Sequence, residues 1–188
     1  MLRLVLLTIW HILTQRSGRE PSALPTDFWD YAVPPPPSGQ LGPDDIPVAQ
    51  TPPGGYKTFP PRVLARCGEP PIPSAPDLRG VWQVHAGLLK GHVERVEQCG
   101  DRVVITANGV IHDMRADGSL DRGVRDIAKL TSEPIAVAAE FKNGRLDLRP
   151  RGGRIVAVSR WREGDEMVWR YGIFINRLHR LQSPGTNC

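Results

Sequence analysis

The chain has 188 residues, enough for one domain of ordinary size with additional sequence outside it. Its formal net charge is +4, from 24 Lys and Arg against 20 Asp and Glu, and the excess is scattered. No basic run interleaved with aromatics marks a nucleic-acid face, and the three cysteines (Cys67, Cys99, Cys188) have no metal-ligand spacing, so neither a nucleic acid nor a metal is an expected partner.

Residues 1–20 contain an apolar run from Leu4 to Leu13, bounded by Arg3 and Arg16. A bilayer span needs roughly 20 apolar residues. The run instead has the length of a signal-peptide h-region, although no A-x-A site follows it. Export or a membrane tether stands beside two plainer readings, a misassigned start and a short docking helix. Localisation is therefore open between the cytoplasm and an exported or anchored form.

Residues 21–76 form a proline-rich arm that holds sixteen of the nineteen prolines. Pro34–Pro37 favours an extended polyproline helix, which serves as a spacer or as a ligand for a protein partner. The composition predicts a mostly irregular, largely disordered segment. Phe28, Trp29 and Tyr31, with Ile46, Val48, Tyr56 and Phe59, predict that parts of it lie against a folded body. A disulfide between Cys67 and Cys99 is expected if the protein is exported, and three free thiols if it is cytosolic.

Residues 77–182 read as strand, turn, strand. The expected strands are 79–86, 92–98, 102–107, 110–114, 123–127, 135–141, 145–149, 154–162, 166–171 and 173–181, followed by a tail over 183–188. Asn108-Gly109, Asp117-Gly118, Asn143-Gly144 and Glu163-Gly164-Asp165 supply the turn chemistry between them. No window of helical length keeps a 3.6-residue period. The sheet pattern is complete without the arm, which is therefore expected to be dispensable for folding.

Alternation makes apolar rows of Val103/Ile105/Ala107, Ile135/Val137/Ala139/Phe141, Leu146/Leu148, Met167/Trp169/Tyr171 and Ile173/Ile175. Consecutive hairpins with one apolar face each are satisfied by closing the sheet on itself, which also removes the exposed edges. The expected fold is all-β, an antiparallel meander barrel of about 8–10 strands.

Gly80-Val81-Trp82 at the first strand resembles the opening signature of the calycins, the lipocalins and fatty-acid-binding proteins. Residues 96–106 are similar to an early hairpin of the fatty-acid-binding proteins. The resemblance covers about residues 77–181. It implies a calycin-like barrel in which Trp82, Gly80 and Arg180 are structural and a last-strand arginine, Arg177 or Arg180, packs over the tryptophan. It also implies an interior that holds an apolar ligand. The five residues 87–91 leave no room for a helical lid. Arg177-Leu178-His179 stands where that family has Arg-x-Tyr, and the lipocalin T-D-Y is absent, so the usual carboxylate site is not implied.

If Ile173 and Ile175 point inward, Arg177 and His179 continue their row, and His112 joins from the Val110/Met114 row. The expected ligand site is therefore Arg177, His112 and His179 as a polar end, with Trp169 and Tyr171 along the apolar wall. The expected function is binding of a small apolar or amphipathic molecule. A non-catalytic interaction or structural module using the barrel surface and the arm is the alternative. An enzyme is the lesser one: His85, Glu94 and His112-Asp113 show no converging pair, and adjacent strand residues face opposite ways. No cofactor is expected, since nothing resembles a haem-attachment motif.

Overall fold

The structure is a computed structural model that describes residues 41–127, except 57, and 134–181. The Leu4–Leu13 run, the Phe28–Tyr31 cluster, Pro34–Pro37 and the tail lie outside the described residues. Ten strands follow one another: β1 (Gly80–Ala86), β2 (Val93–Cys99), β3 (Arg102–Ala107), β4 (Val110–Arg115) and β5 (Val124–Ile127). The second half comprises β6 (Pro134–Lys142), β7 (Arg145–Pro150), β8 (Val158–Glu163), β9 (Glu166–Tyr171) and β10 (Phe174–Arg180). Asn108-Gly109 and Asn143-Gly144 turn their hairpins with both residues at positive φ, from 50° to 82°, the geometry that Asn-Gly favours.

The sheet order is β4-β3-β2-β1-β10-β9-β8-β7-β6-β5, with every ladder antiparallel. This is an all-β, nearly closed meander barrel. Pairing of β1 with β10 joins the two halves, and the remaining seam lies between β4 and β5. Below the strand ends, Phe141 N donates to Ala116 O (3.1 Å) and Gly118 N to Ala139 O (2.7 Å) across that seam.

Trp82 plugs the end where β1 begins. It is fully buried, its Nε1 donates to Leu78 O at 2.8 Å, and the guanidinium groups of Arg162 and Arg180 lie 5.0 and 4.8 Å from its ring centre. Gly80 makes the contact possible: its φ is 134°, and a Cβ there would sit 3.0 Å from Arg180 Nε. The first-strand glycine, the tryptophan two residues later and the last-strand arginine are thus one packing unit.

The described part of the arm is no spacer. Residues 41–76 contain no strand, yet they cover the outer face of β2, β3 and β4, where Val104 and Ile111 pack with Ile46, Leu64 and the Cys67–Cys99 disulfide. Strand side chains supply what the irregular backbone lacks. Arg102 donates to the carbonyls of Pro43 (2.7 Å), Ile46 (2.5 Å) and Pro47 (2.9 Å) while paired with Asp113. Glu97 accepts from the amides of Val63 and Leu64, and Arg95 donates to Pro60 and Pro61. Burial pushes the Glu97 carboxyl up even with Arg95 beside it. At the seam Thr51 hydrogen-bonds the backbone N and O of Ile111 on β4, and its own N donates to Asp126 on β5 at 2.9 Å.

One expected row is reversed. Ile173 and Ile175 are 87% and 45% exposed, whereas Asn176 and Leu178 are buried. Residues directly opposite in an antiparallel ladder share a face, and Asn176 and Leu178 lie opposite Trp169 and Met167. Ile173 belongs to the turn after Gly172 (φ 58°), so alternation counted from it starts one residue out of step.

Candidate functional site

Alternation along β2, β8, β9 and β10 places Glu94, Arg160, Trp169 and Asn176 inside the barrel, with His112 joining from β4 and His92 from the end of the β1–β2 loop. His92, Arg160, Trp169 and Asn176 lie toward the end opposite the Trp82 plug, and Glu94 stands across from Trp82 in the β1–β2 ladder. Glu94 and Arg160 stand on strands separated by three others in the sheet order, so their ion pair crosses the interior. Arg160 Nε donates to Glu94 Oε1 and Nη2 to Oε2, both at 3.0 Å, and both residues are buried. Burial alone would raise the Glu94 carboxyl; the Arg160 guanidinium, with His92 beside it, pulls it down to about 2. The pair is internally neutral and held in two-point geometry.

Trp169 forms the wall beside this pair. The Arg160 guanidinium lies 4.8 Å from its ring centre and the His92 ring 5.1 Å away. Asn176 accepts from Leu89 N at 3.0 Å and donates to Trp169 O at 3.5 Å, which ties the β1–β2 loop to the wall. Asn108 Nδ2 donates to His92 Nδ1 at 3.1 Å, which leaves the ring proton on Nε2. That Nε2 lies 3.6 Å from Glu94 Oε2, an ion-pair contact longer than a hydrogen bond. Trp169 Nε1 is buried without a hydrogen-bond partner. His112 faces Ile127 O at 3.4 Å, and burial pushes its pKa down, which favours the neutral ring. Tyr171 lies edge-on to Trp169, its ring centre 6.4 Å away, and burial raises its phenol.

Of the expected site, His112, Trp169 and Tyr171 come together on the inner side. Arg177 and His179 do not join them. Both ride the outer face of β10, where Arg177 bonds Glu163 (2.8 Å) and Glu166 (2.9 Å) and His179 meets the His85 ring (5.6 Å). The same one-residue step that exposes Ile175 carries them out. The sequence reading had singled out Glu94 only as an unsupported catalytic residue, and it missed Arg160, His92 and Asn176. The available signal was charge inside an inward row: Glu94 is two residues from Val96, and Arg160 is two from Val158. Asp113 faces the arm and Arg102, so it and His112 are on opposite sides of the sheet. Among the described residues, no group of three His, Cys, Asp or Glu side chains could hold a metal ion.

The meander, the plug and the Gly80–Trp82–Arg180 unit make this a nearly closed antiparallel barrel, the fold that its first strand implied. No protein-family model and no curated protein matches the sequence. Among solved structures the chain is similar to human cRBP IV, with a TM-score of 0.45 and 16% identity over 56% of this chain and 98% of that one.

Proposed function

We propose that the barrel binds a small, mostly apolar molecule whose polar end is neutral and carries a hydrogen-bond acceptor. The observation that carries this reading is a buried donor without a hydrogen-bond partner, Trp169 Nε1, on the inner side of the barrel. A buried polar group left unpaired costs about 1–3 kcal/mol, and an acceptor on a ligand relieves that cost. The neutral preference follows from charge. Glu94 already compensates Arg160, and the neutral form of His112 adds no cation, so a carboxylate gains no free positive partner. Tyr171, Trp169 and the apolar inner rows contact the rest of the molecule. The arm is a poorer basis for a protein-docking function: the carbonyls of Pro43, Pro47, Pro60 and Pro61 already accept from this chain's own Arg102 and Arg95.

The test is displacement of a fluorescent apolar probe by a long-chain alcohol and by the fatty acid of equal length. The alcohol is expected to compete more strongly, and Trp169→Phe to weaken the alcohol about fivefold, the equivalent of one hydrogen bond of about 1 kcal/mol. Saturable probe binding with the acid preferred discards the neutral head-group site. No saturable binding discards the reading altogether.

A further inference from the structure

In a ten-strand meander every second connection falls at the same end of the barrel. The connections 87–92, 151–157 and 172–173 share the end that lies over the Glu94–Arg160 cluster, and hydrogen bonds tie 172–173 to 151–157 and 87–92 to β10. Gly172 N donates to Ala157 O at 2.8 Å, and Leu89 N donates to Asn176 Oδ1 at 3.0 Å. Large apolar side chains project from each: Leu88 is 39% exposed, Ile155 68% and Ile173 87%. With Val48 and Ile175, these are all the exposed large apolar residues among those described. Exposed Lys90, Arg151 and Arg154 stand among them, and the described connections at this end hold no Asp or Glu. At the opposite end the acidic residues Asp101, Asp117 and Asp121 are paired with Arg115, Arg122 and Arg125.

We propose that this end of the barrel docks on an anionic lipid surface. Aliphatic tips that enter the headgroup layer, with basic residues beside them, fit such a surface, and these tips carry no aromatic ring for stacking on nucleic-acid bases. A basic residue held at an anionic membrane contributes about 1 kcal/mol, or about fivefold in affinity. If the interior holds an amphipathic ligand, as proposed above, docking places the site against the bilayer; the docking itself does not depend on that reading.

The experiment is co-sedimentation of the full chain with phosphatidylcholine vesicles, with and without phosphatidylglycerol, at low and high salt. Binding is expected only with phosphatidylglycerol and is weakened by salt. Arg151→Glu with Arg154→Glu should weaken it more than tenfold. Ile155→Asp with Ile173→Asp should abolish it, with circular dichroism and melting unchanged because all four side chains are exposed. Binding that neither pair alters, as would follow from attachment through Leu4–Leu13, overturns the proposal. So does the absence of binding, or concentration-dependent dimerisation that Ile155→Asp with Ile173→Asp abolishes. Probe binding measured without vesicles separates these failures from failure of the interior site.

Discussion

Gly80 shows how much one position controls. Alanine there meets both a positive φ and the Arg180 side chain, so Gly80→Ala is expected to cost about 1–3 kcal/mol in chemical denaturation. Trp82→Ala empties the plug and should cost about 3–5 kcal/mol in the same assay. Glu94 gives a pH signature. Its folded pKa of about 2 lies below its ordinary value of 4.5, so its contribution to stability is fully present above about pH 4.5 and is lost as pH falls toward 2. The stability gap between wild type and Glu94→Gln should therefore be constant near neutrality and close through that window. A gap that widens on acidification would mean that the Arg160 pair does not hold the charge. At this scale the sequence was legible where a motif couples several residues, as in Gly80-Val81-Trp82. It failed at Arg177 and His179, although Arg180 held the correction. Residues 177 and 180 cannot share a face of a regular strand, so Arg180 over Trp82 puts Arg177 outside.

The arm and the sheet face beneath it are one element in energetic terms. Turn chemistry and alternation made the presence of ten strands readable, because each is a local property of a few residues, although β8 begins at Val158 and not at residue 154. The docking of residues 41–76 was not readable, since it has no period. Its clues were Arg95, Glu97, Arg102 and Asp113, which on an outer face look solvated and in fact bind arm backbone. Asp113→Ala leaves buried Arg102 without its counter-ion and should destabilise by about 3–5 kcal/mol, whereas Asp113→Ala with Arg102→Met recovers part of the loss. Replacing Cys67 by Ser opens a link spanning 32 residues and should cost about 3–4 kcal/mol by the chain-entropy estimate. A chain that begins near Ser74 uncovers Val104 and Ile111 and loses the Thr51 clip at the seam. Its melting is expected at lower temperature than that of a chain beginning before Leu41; equal melting would return the arm to the role of a spacer.

In the whole molecule, chemistry is sorted by position. One end is sealed by a tryptophan between two arginines, the other carries basic and aliphatic tips, and a neutral ion pair beside the unpaired Trp169 indole N–H lies between them. On the proposed reading, this division separates ligand recognition inside the barrel from surface attachment at its rim, and each is expected to be removable without the other. The most direct measurement is an NMR titration that follows the indole N–H signals while a long-chain alcohol is added, with Trp169→Phe used to assign Trp169. The expected result is a saturable downfield shift of the Trp169 Nε1 proton, as it acquires an acceptor, while Trp82 stays bonded to Leu78 O and does not move. A Trp169 signal that stays still while alcohol is bound, or an alcohol that does not bind at all, would contradict the account.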